Sequence, residues 1–269
     1  MERRALGIAE GRRAFGADPE NYDSARPPYP SRVYDLLRER CGLRTGTCTL
    51  EIGAGTGLAT RQLLAAGATP LVAIEPDERL AAVLRRNAPS PALSIVNAPF
   101  ETADLAAGDF DLGASATAFH WLAQRPALSR VATLLRPGGW WAMWWNVFGD
   151  PERADPFHDA THHLLADLAT TPSQGGSDRL PFGLDAAARS SDLASVGSFD
   201  MIDVETLKWT LVLTPAQVRA LYATYSHFSV LEAGERERLL DGLEDIAENQ
   251  FAGRVERNMC TAIYTARRR

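Results

Sequence analysis

With 269 residues, 45% hydrophobic and 23% charged, the chain can form one large domain, or a domain with a cap, without disulfide or metal staples. A formal net charge of −6 argues against a general nucleic-acid binder, which needs a basic face to displace counterions. No run approaches the about 18 apolar residues of a spanning helix, and Cys41, Cys48 and Cys260 fit neither a zinc site nor a disulfide framework, so they read as free thiols in a reducing cytoplasm.

The N-terminus carries Arg3, Arg4, Arg12 and Arg13 without the apolar core of a signal peptide, and the segment to about Gly16 is expected to be polar and mobile. The prolines of Tyr22-Asp-Ser-Ala-Arg26-Pro-Pro-Tyr29-Pro30 are expected to exclude helix. Ser31 then reads as the cap of a helix through Arg40. Strands are predicted at Cys48–Ile52, Leu71–Glu75, Leu93–Val96, Phe110–Ser115 and Trp140–Trp145. Helices separate them at Leu58–Ala66, Asp77–Asn87 and Ala127–Leu135, the last stopped by Pro137-Gly138-Gly139. This alternation predicts βαβ units and a parallel sheet, with ligand outside the carboxyl ends of the strands. Beyond Asn146 the rhythm changes. A helix is expected at Asp155–Leu168, loop within Thr170–Ser198, a long strand at Ile202–Leu213, helices at Pro215–Tyr225 and Ala233–Phe251, and a final strand at Asn258–Ala266.

The strongest local signal is Glu51-Ile52-Gly53-Ala54-Gly55-Thr56-Gly57 between a predicted strand and helix. Glycines there let bare backbone lie against a ligand. Glu75, at the end of the next strand, can accept hydrogen bonds from both hydroxyls of a ribose. A dinucleotide competes for this pattern, as does a turn that binds nothing. The dinucleotide fingerprint places a small residue where this sequence has Leu58, and the third glycine here comes one position early.

The G-x-G-x-G form with Glu51 ahead of it resembles motif I of the class I S-adenosyl-L-methionine-dependent methyltransferases. Phe110-Asp111-Leu112 and Leu135-Arg136-Pro137-Gly138-Gly139 resemble the same family. Tyr22-x-x-x-Arg26-Pro-x-Tyr29-Pro30, Phe119-His120-Trp121 and Ile263-Tyr264-Thr-Ala-Arg267 resemble its small-molecule subgroup of trans-aconitate-methyltransferase-like proteins. The likeness is close over residues 15 to 147 and weak beyond. It implies an α/β Rossmann-like fold: a mostly parallel seven-stranded sheet, helices on both faces and a helical cap. It implies a lid over 1–46, a cofactor core over 47–147, a substrate cap over 148–200 and completion of the sheet over 201–269.

The resemblance further implies S-adenosyl-L-methionine as cofactor, with S-adenosyl-L-homocysteine as product. Glu51, Gly53, Ala54, Gly55 and Gly57 would serve its methionine and ribose side, and Glu75 and Pro76 its ribose and adenine. Asn97, Ala98 and Phe100 would edge the adenine. Tyr22 and Arg26 would close over the cofactor, Arg26 near its carboxylate, while Ser115 and Ala116 pass the methionine. Relatives often carry Asp after the third strand where this chain has Asn97.

Methyl transfer from a sulfonium is an in-line displacement needing no metal. His120 is the candidate base, with a wall residue as the alternative. His158 and His162 stand at i and i+4, but no H-E-x-x-H motif accompanies them. Phe119, Trp121, Trp140, Trp141, Trp144 and Trp145 read mainly as core. Phe119, His120, Trp121, Trp145 and Asn146 are candidates for the acceptor pocket. The reading is a cytoplasmic enzyme acting on a small molecule, with no nucleic acid or membrane partner, as monomer or homodimer. The alternatives are an NAD-dependent oxidoreductase and a protein that binds the cofactor without turnover.

Overall fold

The structure, a computed structural model, describes residues 5–7, 10–11, 14–174 and 180–269. Arg3, Arg4, Arg12 and Arg13 lie outside the described residues. Seven strands form one sheet: β1 (Thr47–Ile52), β2 (Ala68–Ile74), β3 (Leu93–Val96), β4 (Phe110–Ala116), β5 (Leu135–Phe148), β6 (Phe199–Leu213) and β7 (Val255–Arg268). Their order is β3-β2-β1-β4-β5-β7-β6. The order reverses between β1 and β4, so a crevice opens beyond the carboxyl ends of those two strands.

The sheet is mixed, which corrects the expectation of a mostly parallel one. β3, β2, β1, β4 and β5 pair parallel, but β7 runs antiparallel to both β5 and β6. The cause is the connection. The chain leaves β6 at Leu213 and re-enters β7 at Val255, two residues that are partners across the ladder. The intervening helices return it to the edge it left, so β7 must run back along β6.

Apolar strands are required because both faces are covered. Along β5 the side chains alternate: Trp141, Met143 and Trp145 join one core cluster, while Ala142 and Trp144 join the other. The first cluster packs under α5 (Gln124–Leu134) and α7 (Ala186–Ser195). The second packs under α2 (Ser31–Cys41) and α3 (Leu58–Ala65) and takes in Leu84 of α4 (Glu78–Asn87). A third cluster joins α6 (Pro156–Thr161), α8 (Pro215–Ala223), α9 (Ser226–Ser229) and α10 (Ala233–Phe251) through Phe157, Val218, Leu221, Phe228 and Leu243. It sits at the end of the sheet where β5 and β6 finish.

Five local expectations change. Tyr22 lies in a helix, α1 (Pro19–Ala25), because Pro19 occupies its first turn and Asp18 accepts the Asn21 N–H at 3.1 Å. The prolines exclude helix only from Arg26 onward. Pro30, not Ser31, caps α2, and α6 stops at Thr161, well short of Leu168. The expected loop contains α7, capped by Asp185 through the Ala188 N–H at 3.0 Å and anchored by fully buried Leu193. The described part of the N-terminal arm is packed: the Leu6 N–H donates to the Thr170 carbonyl at 2.8 Å, and Gly16 is buried.

Candidate functional site

The turn from β1 into α3 is built by its glycines. Gly53 has φ +72°, and a Cβ there would stand 2.4 Å from the Ala118 Cβ, so side-chain-free backbone lets β4's loop close in. Gly57 has φ +94°, and a Cβ would meet Leu84 Cδ1 at 2.6 Å. The turn's amides are largely consumed internally. Those of Gly53 and Ala54 donate to the Ile74 carbonyl at 2.9 and 3.0 Å, and that of Gly57 to the Ala54 carbonyl at 3.0 Å. That of Gly55 donates to Glu75 Oε2 at 2.8 Å. A pyrophosphate requires such amides to be free, so this turn is badly suited to a dinucleotide.

Two carboxylates flank the turn. Glu75 Oε1 accepts the Asp77 N–H at 2.9 Å, which sets the carboxylate at the lip of the cleft with lone pairs left for further donors. Glu51 lies beneath, 1% exposed; Oε2 accepts the Thr60 hydroxyl at 2.6 Å, and Oε1 is buried without a partner. Burial pushes Glu75 up to about 7 and Glu51 up to about 8, with the Glu75 charge adding to the latter. A buried carboxylate oxygen with no donor is costly, and a cationic ligand group would satisfy it. The donor set therefore fits an adenosyl amino acid: carboxylate for ribose hydroxyls, carboxylate for an ammonium group, and no free amide nest for phosphate.

The cleft above the turn is lined by Tyr22, Gly53, Gly55, Glu75, Pro76, Phe100, Ala116 and Trp121 among the expected residues. Phe15, Leu80, Pro99, Thr117 and Ala118 line it as well. Phe15 packs edge-on against Tyr22 and Trp121, with centroids 5.9 and 5.5 Å apart, so the N-terminal arm roofs the cleft. Thr117 holds φ +52°, rare for a β-branched residue. The Tyr29 hydroxyl donates to its Oγ1 at 3.0 Å, fixing the point where cleft and neighbouring cavity meet.

Other expected residues are placed differently. Ser115 is fully buried and donates to the Ile52 carbonyl at 2.9 Å, which staples β4 to β1 and turns its hydroxyl away from the cleft. Asn97 donates through Nδ2 to the Glu75 carbonyl at 2.8 Å, and Ala98 packs against the core. Arg26 is sandwiched between the rings of Tyr22 and Tyr225, 5.0 and 4.9 Å from their centroids. It lines the adjoining cavity, and its Nε is buried without a partner.

That cavity, about 840 Å³, runs from Thr117 beneath the third helical cluster. His120, Trp121, Trp145 and Asn146 line it, as expected of an acceptor pocket. Phe119 does not; it is fully buried against Trp141, 4.9 Å between centroids. The cavity also takes His227 and Arg257, which the sequence reading passed over. Arg257 is buried, donating to Asp155 at 2.9 Å and to the Tyr222 hydroxyl at 2.7 Å. Exposed His158 and His162 stand at its rim. Among the described residues no group of three or more histidine, cysteine or acidic side chains is placed to hold a metal ion, and no helix is long and apolar enough to cross a membrane. The three cysteines are free thiols.

Fold and site together define the class: a doubly wound α/β domain with an adenosyl-type cleft at its switch point. Comparison with known proteins makes this specific. Residues 50–143 match the profile of a methyltransferase domain family. An uncharacterized methyltransferase of Schizosaccharomyces pombe is 23% identical over 94% of this chain and 96% of its own. One of Mycobacterium tuberculosis is 26% identical over 87% of this chain and 85% of its own. A protein of Anaeromyxobacter dehalogenans described as a candidate type II methyltransferase shares the fold at TM-score 0.62 and 20% identity, covering 90% of this chain and 97% of that one. The [4+2]-cyclase SpnF shares it at TM-score 0.60 and 16% identity, covering 100% and 99%. A phosphoethanolamine N-methyltransferase of Haemonchus contortus, solved with S-adenosylhomocysteine, shares it at TM-score 0.57 and 15% identity; the match covers 94% of this chain and 57% of that one. Over residues 50–143 the chain is thus similar to a methyltransferase domain, and these findings agree with S-adenosyl-L-methionine as its cofactor.

Proposed function

We propose that this chain is a methyltransferase that uses S-adenosyl-L-methionine to methylate a small molecule held in the cavity under the helical cap. The observation that carries this reading is the pair of buried carboxylates: Glu75 held open at the cleft by the Gly55 and Asp77 amides, and Glu51 with one oxygen unpaired beneath. Glu75 would hold the ribose hydroxyls and Glu51 the amino end, with Pro76, Phe100 and Leu80 beside the base. When bound, the cofactor supplies a methyl group already activated by its sulfonium. The chain's own task is alignment and water exclusion, served by the Phe15–Tyr22–Trp121 roof and the strained Thr117 corner. Residues 148–174 with α8 to α10 would form the wall that selects the acceptor. The Tyr22–Pro30 and Phe119–Trp121 motifs favour an acceptor of the kind taken by the trans-aconitate-methyltransferase-like subgroup.

Calorimetric titration with S-adenosyl-L-methionine tests the cofactor, and release of S-adenosyl-L-homocysteine with an acceptor panel tests transfer. Binding of NADH in place of the sulfonium compound would sink the reading. The likeness to a cyclase of the same fold favours a second one, in which the cofactor is held and another reaction proceeds in the cavity. Conversion of a bound small molecule without release of S-adenosyl-L-homocysteine would select it.

A further inference from the structure

His120 has an indole where a base needs a free nitrogen. The Trp145 Nε1–H donates to His120 Nδ1 at 3.0 Å, both side chains buried. An indole nitrogen can only donate, so Nδ1 must be the ring's lone-pair nitrogen and Nε2 carries the hydrogen. The ring is fixed laterally by Trp121 and Phe182, 5.2 and 5.9 Å between centroids. Its remaining polar atom, Nε2, has no partner among the described residues, and the side chain borders the large cavity.

The geometry points to His120 as a tautomer-locked hydrogen-bond donor, whose Nε2–H receives an unprotonated oxygen or nitrogen lone pair of the methyl acceptor. This rests on reading the larger cavity as the acceptor site. It replaces the role of base suggested by sequence: a ring whose Nδ1 accepts from Trp145 and whose Nε2 already bears hydrogen has no site left to take a proton. The acceptor therefore arrives with its lone pair available, as an anion or a neutral base.

The electrostatic surroundings agree. Charged and titratable groups facing the cavity, besides His120, are Tyr22 on α1, Arg26 after it, Tyr222 on α8, Tyr225 before α9, His227 on α9, Arg257 on β7 and the rim residues His158, Asp159 and His162. Burial, with the Arg26 charge, holds His120 at about 3 and His227 at about 4, so both rings are neutral where the protein works. Arg257 is matched by Asp155, leaving the Arg26 guanidinium without a carboxylate partner among the described residues.

Long-range proton–nitrogen spectra of the full chain with labelled histidine read the tautomer directly. A pyridine-type Nδ1 and a pyrrole-type Nε2 on His120, unchanged from pH ~5 to ~8, are expected. Trp145→Phe should relax that preference and raise the ring's pKa, with cofactor affinity kept. In turnover, His120→Gln, which retains an amide donor, should keep more kcat/KM than His120→Ala, which should lose about tenfold. The opposite tautomer, a kcat/KM profile that follows the pKa measured for His120, or equal activity of the Gln and Ala variants would each overturn the inference. The spectra need no cofactor, so failure to bind S-adenosyl-L-methionine would defeat the proposed function while leaving the tautomer result to stand or fall by itself.

Discussion

The Gly55 N–H and the Glu75 carboxylate are joined at 2.8 Å across the mouth of the crevice, so the glycine turn and the end of β2 are one rigid lip. Because a second oxygen accepts from Asp77 at 2.9 Å, both arms of the carboxylate are oriented before any ligand arrives. An amide in its place can accept from only one of those two N–H groups. Glu75→Gln should therefore weaken S-adenosyl-L-methionine binding by about 1.5–3 kcal/mol, roughly ten- to a hundredfold, by calorimetry. Unchanged affinity would remove Glu75 from the ribose.

Glu51 links binding to protons. Its carboxyl is pushed up to about 8 and its Oε1 is unpaired, so at neutral pH the free protein holds a proton there. A cationic group at that oxygen favours the ionised form, and binding should release most of one proton. Titrations in buffers of different ionisation enthalpy measure it, and Glu51→Gln should remove the larger part of it, leaving what Glu75, pushed up to about 7, releases. The same shift affects stability. From the ordinary value of 4.5 up to about 8 the folded chain holds a proton the unfolded chain has lost, so this contribution falls as pH rises through that window. His120 and His227, held at about 3 and about 4, act in the other direction below their ordinary 6.5. The difference between urea melts of wild type and Glu51→Gln isolates the carboxyl. Parallel curves would contradict its burial.

Two glycines separate backbone strain from close approach. Gly53 and Gly108 share positive φ, +72° and +70°, but only Gly53 faces a neighbour, the Ala118 Cβ at 2.4 Å. Gly108→Ala should cost about 1–2 kcal/mol for its left-handed backbone. Gly53→Ala should cost more and also lower cofactor affinity. Equal losses in denaturant melts would mean the loop yields freely.

The Asp155–Arg257 pair holds the cap to the sheet at 2.9 Å, and Asp155 also accepts the His158 N–H at 3.0 Å at the start of α6. Asp155→Ala leaves a buried guanidinium unmatched and should destabilise the chain by about 3–5 kcal/mol. Adding Arg257→Met should recover part of that. A loss under about 1 kcal/mol in the single variant would mean water reaches the pair.

The central architecture was readable because its signals are local. Leu93–Val96 is a short apolar run bounded by turns and forms β3 with those limits. The Gly53–Gly57 turn and Glu75 are close in sequence, so their meeting follows from one βαβ unit. What was hidden depends on distant packing. α7 reads as loop because Ala, Ser and Asp dominate it and Leu193 is its one fully buried apolar side chain. Phe15 sits in a polar arm and gains its place against Tyr22 and against Trp121, the latter more than a hundred residues later in the chain. His227 reaches the cavity because α9 packs against α8 and against the Phe15–Ala17 turn of the N-terminal arm, a relation no periodicity records. Ser115 stands at the expected place on β4, but which way a strand residue turns its hydroxyl is decided by its neighbour, here Ile52.

The pairing of Leu213 with Val255 has a consequence for how such a chain diversifies. Everything between them is an excursion that starts and finishes on adjacent rungs, so its length is independent of strand alignment. Helices can be lengthened or swapped there without shifting the strands that carry the cofactor's seat, provided Tyr225 still meets Arg26, and a new chemical diet can be acquired by editing that single detour.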